Sequence, residues 1–91
     1  MPNSRPSRAY HKRLTRLQWA ALLTQTAPGR RQSSFHSISA LAARRGHAIL
    51  VEGRPVRELA VQEDIGVELA YKTAARIYAI ACDLGIASHA E

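Results

Sequence analysis

Between Val56 and Asp83 a helical apolar pattern runs on both sides of one short interruption at Asp64-Ile65, resuming at about Gly66, and this constrains the fold more than any other feature. Apolar residues at i, i+3, i+4 and i+7 mark one face of a helix. Before the break, Val56 to Glu63 turns Leu59 inward and sets Ala60 at a point of tight contact. After it, Ala70, Ala74 and Ile77 are spaced four and three. The second segment is rich in alanine (Ala70, Ala74, Ala75, Ala79, Ala81), a strong helix former that permits close packing. Two short helices joined by a three- or four-residue turn make a helix-turn-helix, expected here over about Val56 to Arg76.

That motif needs a small residue where its helices touch, a turn residue that accepts left-handed backbone, and an apolar residue that plugs the corner. One register supplies Ala60, Asp64 and Ile65 for these roles. Glycine is usual at the turn, but Asp tolerates that backbone better than most residues. The open face of the second helix then carries Glu68, Tyr71, Lys72, Ala75 and Arg76. A rival register puts Gly66 at the turn. It places Gln62 at the tight contact and opens a face of Glu68, Leu69, Ala70, Thr73 and Ala74, which reads bases poorly. The Asp64 register is preferred.

The rest of the chain is also helical in pattern. Thr15 and Gln18 form a capping box, with Leu14 and Trp19 at the positions of a hydrophobic staple. Leu17, Ala20, Ala21 and Thr24 continue one face of this first helix, widened by Leu22 and Leu23, and Pro28-Gly29 stops it. Trp19 is expected as a core anchor. Ser34 or Ser37 caps a second helix running to about Val51, with a stripe of Ile38, Leu41, Ala42, Ile49 and Leu50. Gly46 interrupts it, marking a kink or close packing. Glu52-Gly53-Arg54-Pro55 is a turn in which proline opens the next helix. Leu84-Gly85-Ile86 is a stop, and residues 87–91 are expected to fray. Only Ala48 to Val51 briefly alternates like a strand. The expected fold is all-α, a bundle of four to five helices over residues 14–86 that contains the helix-turn-helix.

At 91 residues the chain has room for one domain, with dimerisation a way to complete a modest core. The single Cys82 rules out an internal disulfide framework and is expected as a small buried hydrophobe. No apolar run approaches the ~20 residues that cross a bilayer, and a bacterial cytoplasmic setting is expected. An acid-free, Arg-rich start also has the composition of a transit peptide, but order is expected from Leu14 onward.

Net charge is +6, and its excess is N-terminal: residues 1–31 hold seven bases and no acid, whereas residues 32–91 hold six bases and seven acids. Residues 1–13 read as a disordered basic arm carrying Arg5, Arg8, Lys12 and Arg13. Such an arm suits phosphates, an anionic membrane surface or an acidic protein.

The stretches Leu14-Thr15-x-x-Gln18-Trp19, Ile49-Leu50-Val51-Glu52-Gly53-Arg54-Pro55 and Arg76-Ile77-Tyr78-Ala79 resemble the TrfB/KorA-type plasmid transcriptional repressors. The resemblance spans roughly Arg13 to Asp83, runs without a gap from Ile49 to Ala79, and selects the Asp64 register. It implies a dimeric repressor of palindromic operators that control plasmid genes, with another plasmid regulator as a further candidate partner. The sequence departs from the family in a longer linker around Gly46, in Asp64 for the turn glycine, and in Gly66 and Val67 for polar residues after the turn. The family's C-terminal dimerisation region has no counterpart before Glu91, so operator sequence and dimer mode do not carry over.

Lys72, Tyr71, Arg76 and Glu68 are the candidate base contacts: Lys donates to guanine, Tyr to a base or phosphate, and Glu accepts from cytosine. The competing readings are a solvated helix face, a packed Tyr71, and an (i, i+4) pair of Glu68 with Lys72. Arg54 and Arg57, at the start of the first motif helix, suit phosphate contact, as do Arg44 and Arg45. His11, His36, His47 and His89 are scattered without a Cys at metal spacing, so no metal or cofactor is expected. The serines near His36 have no oriented base, and no enzyme is expected. A helical protein-interaction or antitoxin-like adaptor, whose arm meets an acidic partner, is the alternative function.

Overall fold

The computed structural model describes residues 9–26 and 37–87, which form one all-α body without a strand among the described residues. Its α-helices are α1 (Arg16–Gln25), α2 (Ala40–Gly46), α3 (Val56–Glu63) and α4 (Val67–Asp83), and a π-helical turn, His47–Val51, continues α2.

The capping box opens α1 as expected. The Gln18 amide donates to Thr15 Oγ1 at 3.0 Å, and the Thr15 amide donates to Gln18 Oε1 at 2.8 Å. Leu14 and Trp19, at the staple positions, are both buried. The buried face beyond them is not the expected one. Trp19, Leu22 and Thr26 point inward, whereas Leu17 is 83% exposed and Ala20, Leu23 and Thr24 also face solvent. The helix is apolar on two sides, and the tryptophan decides between them because it buries by far the largest surface. Pro28 and Gly29 lie outside the described residues.

Ser39 caps α2, its Oγ accepting from the Ala42 amide at 3.1 Å. Ser37 is not the cap, and Ser34 lies outside the described residues. Leu41, expected in the apolar stripe, is exposed, while Ile49 and Leu50 are fully buried. Gly46 does not break the helix (φ −63°, ψ −38°). It permits close packing instead, since a β-carbon there would overlap Ile77 Cδ1 on α4. The chain then widens into the π turn, where the Glu52 amide donates to the His47 carbonyl at 3.0 Å. A wider turn rotates successive side chains less, so Ala48, Ile49 and Leu50 are all buried in a row. That explains the brief strand-like run as a helical one.

The turn after Val51 resolves the carbonyls left open at a helix end. Leu50 O accepts from the Leu14 amide, and Ala48 O accepts from the Arg54 amide, both at 2.9 Å. Gly53 takes φ 75° against the Arg13 guanidinium. Pro55 is the residue that caps α3 (φ −58°, ψ 138°), one position before the first helical residue where it was expected.

Between α3 and α4 the chain makes a Schellman turn. Asp64 is left-handed (φ 56°, ψ 49°), its amide donates to Val61 O at 3.2 Å, and the Ile65 amide donates to Ala60 O at 3.0 Å. Gly85 (φ 77°) ends α4 with the same motif, Gly85 N to Cys82 O at 3.0 Å and Ile86 N to Ala81 O at 2.8 Å. Ala87, expected to fray, packs on the core, and Cys82 is only half-buried. Residues 88–91 lie outside the described part.

Candidate nucleic-acid interface

The Schellman turn fixes which face of α4 points outward. Ala60 is buried at 2% exposure, Ile65 packs half-buried on the core, and Ala70, Ala74 and Ile77 are fully buried. These are the positions that the Asp64 register assigns to the contact, the plug and the inner face. The opposite side of α4 leaves Glu68, Tyr71, Lys72, Ala75 and Arg76 exposed.

The exposed residues differ in freedom. Lys72 and Glu68, one turn apart, make no ion pair with each other or with any other described residue. Tyr71 is 46% exposed, and its ring centroid lies 6.0 Å from that of Tyr10. Arg76 is engaged: its Nη2 donates to the Ser37 carbonyl at 2.7 Å, tying α4 to the approach of α2.

Two of the candidate phosphate ligands are also committed. Arg44 Nη2 and Arg45 Nε reach Glu63 Oε1 at 2.6 and 3.0 Å. The hydrogen bond from Arg45 is the main cause holding the Glu63 carboxyl below its usual range, against burial that pushes it up. Arg45 and Glu63 are the enclosed pair, while Arg44 keeps 65% of its side chain in solvent. Arg57 is exposed on the first turn of α3, and Arg54 is half-buried just before it. Neither pairs with an acid among the described residues.

Of the four basic residues read as a free arm, the structure describes two, and both are held. Arg13 donates from Nε to Leu50 O at 3.0 Å and from Nη2 to Val51 O at 2.8 Å. Its guanidinium thus caps the carbonyl end of the π turn, where a positive charge is favoured. Lys12 Nζ stands 5.6 Å from the centre of the Tyr78 ring. Arg5 and Arg8 lie outside the described residues.

Two residues carry more than their sequence context suggested. Tyr10 anchors the segment that reads as a polar arm, and burial followed by the nearby Tyr71 pushes its phenol above the ordinary value. It was the signal available, a large apolar ring in an otherwise polar stretch. Glu63 is the acid that neutralises two arginines across 18 or more residues, which no local pattern announces.

An open depression of about 550 Å³ lies between α1, α2 and α3, and its polar side chains are largely paired, Arg44 and Arg45 with Glu63, and His47 Nδ1 within 3.1 Å of Glu52 Oε2. Among the described residues no group of three metal-ligating side chains assembles, and no helix is long and apolar enough to cross a membrane. No family model matches the chain, and no curated protein or solved structure is significantly similar to it.

Proposed function

We propose that the chain is a sequence-specific DNA-binding repressor of the TrfB/KorA plasmid type, in which α3 and α4 act as a helix-turn-helix. The observation that carries this reading is the left-handed Asp64 turn, with Ala60 and Ile65 packed at the corner and Glu68, Tyr71, Lys72 and Ala75 left on the outer face. In that reading α4 enters the major groove. Lys72 donates to guanine O6 or N7, Glu68 accepts from cytosine N4, and Arg57 at the start of α3 meets a phosphate. Dimerisation on a palindromic plasmid operator, in the bacterial cytoplasm, completes the proposal.

Footprinting on the DNA flanking the protein's own gene, followed by binding to the protected site and to a scrambled duplex across a salt series, tests it. Tighter binding to the protected site at every salt concentration is the expected result. Equal affinity for both duplexes would refute sequence-specific recognition. Mass measurement in solution decides the dimer.

The alternative, a helical protein-interaction module, draws support from Leu17, which stands 83% exposed on the outer side of α1. A stoichiometric protein partner, recovered with no DNA retained at moderate salt, would favour it.

A further inference from the structure

α1 and α3 both pack on the π turn, and the depression of about 550 Å³ opens between them and α2. Small-molecule sites run from about 300 to 1,000 Å³, with an apolar lining and a few convergent polar groups. The depression has this make-up. Trp19, Ala48 and Leu59 line it although each is almost wholly buried, so they form its floor. The His47 ring stands against Trp19, edge to face, with centroids 5.3 Å apart, and makes one wall.

The polar side chains of the lining divide into committed and uncommitted ones. Arg44 and Arg45 share Glu63, and His47 meets Glu52. Arg54 and Gln62 line the depression with no side-chain partner among the described residues. Arg54 is half-buried, unlike exposed Arg57, and a partly desolvated guanidinium without an acid is unfavourable. Across the lining, three arginines face two carboxylates, which leaves one positive charge in excess. That excess matches one carboxylate. A phosphate monoester, with a charge of about −1.5 to −2, would have to compete with Glu63 for its arginines.

We propose that the depression is a binding site for a small organic carboxylate with a ring-sized apolar body. The ring lies on Trp19, Ala48 and Leu59, Arg54 takes the carboxylate in two parallel hydrogen bonds, and Gln62 supplies a further amide donor. No residue of α4 lines the depression, so the site stands apart from the outer face of α4 and does not depend on the DNA-binding reading. An occupant bridges α1 to α3 in the folded chain alone and therefore stabilises it by mass action.

The probe is 2-naphthoate, with 2-naphthamide as its uncharged counterpart and acetate as the charge without the ring. Titration of the full chain is followed on the indole N–H resonance of Trp19, the only tryptophan in the sequence, which reports binding at the floor. A saturable shift with 2-naphthoate is expected, with a dissociation constant of about 1 mM or below. The amide should bind roughly tenfold more weakly, because a charge-assisted hydrogen bond is lost, and acetate should not shift the resonance at the same concentration. The melting temperature should rise with 2-naphthoate concentration. Arg54→Gln, checked for retained helix by circular dichroism, should bind acid and amide alike. Gln62→Glu alters an exposed residue of α3 and places a carboxylate at the rim, so it should weaken 2-naphthoate several-fold and spare 2-naphthamide. The proposal is overturned by the absence of a saturable shift with 2-naphthoate, by equal affinity of the unaltered chain for acid and amide, or by an undiminished preference in folded Arg54→Gln. Should Arg54→Gln fail to fold, unchanged affinity for 2-naphthoate in Gln62→Glu overturns it instead.

Discussion

Gly46 of α2 and Ile77 of α4 meet so closely that a β-carbon on Gly46 would overlap Ile77 Cδ1, while standing 3.6 Å from the Trp19 ring. Gly46→Ala gains about 1 kcal/mol of helix propensity. It also overpacks a fully buried site, which costs typically about 1–3 kcal/mol. The net expectation is a loss of about 1 kcal/mol. Ile77→Val alone should cost about 0.5–1.5 kcal/mol. Because it deletes the colliding methyl, the double variant should be more stable than the sum of the singles by at least about 0.5 kcal/mol. Urea denaturation of the four proteins measures this coupling, and simple additivity would show that the contact does not limit the site.

Asp64 and Gly85 end α3 and α4 with the same hydrogen-bond pattern, but only one of them is glycine. Left-handed backbone costs an L-residue roughly 1–2 kcal/mol, less for Asp and Asn. Asp64 also places a negative charge at the carbonyl end of α3, where it is disfavoured. Asp64→Gly should therefore raise stability by up to about 1 kcal/mol, Asp64→Asn by a few tenths, and Asp64→Val should lower it by about 1–2 kcal/mol. Thermal melts should rank the variants Gly, Asn, wild type, Val. A valine variant as stable as wild type would mean that the turn is not left-handed.

Glu63 links α3 to α2 through Arg45 and Arg44, and its carboxyl is held below the usual 4.5 chiefly by the Arg45 hydrogen bond. A lowered folded value stabilises the protein above pH 4.5 and loses that contribution as pH falls through the folded value. Glu63→Gln removes the contribution at all pH values. The melting temperature of the variant should lie below that of wild type at about pH 6, and the gap should close only as pH falls through the lowered folded value and the wild-type carboxyl protonates. A gap independent of pH would remove the ion pair as its cause.

Local chemistry was legible in the sequence, and tertiary choice was not. The Thr15–Gln18 capping box, the Asp64 turn and the glycine stop after α4 were all readable, because each is decided within about six residues. The buried side of α1 was not, since Leu17 and Trp19 offer two apolar faces and only the neighbouring helices select one. The π turn was hidden for the same reason. His47–Val51 is ordinary helical sequence, and its wider turn follows from a core that demands Ala48, Ile49 and Leu50 together. At the candidate site, the outward positions on α4 followed from periodicity. The engagements of Arg13, Arg44, Arg45 and Arg76 did not, because each joins residues 18 to 39 apart in the chain. Counting positive charges therefore overstated the number of basic groups available to a partner.

Lys72 and Arg76 sit one turn apart on α4 yet should behave differently when removed. Arg76 Nη2 holds the Ser37 carbonyl at 2.7 Å, and an exposed charged hydrogen bond of this kind contributes about 1 kcal/mol. Arg76→Ala should lower stability by that amount and weaken binding to cognate and scrambled duplexes alike. Lys72 has no partner among the described residues, so Lys72→Ala should leave stability within about 0.5 kcal/mol. If Lys72 meets a guanine, its loss should erode discrimination between the two duplexes by about 1–3 kcal/mol. Melting curves and anisotropy titrations on both duplexes separate these behaviours. Preserved discrimination in Lys72→Ala, together with its collapse in a stable Arg76→Ala, would reverse the roles and move the reading face of α4 towards α2.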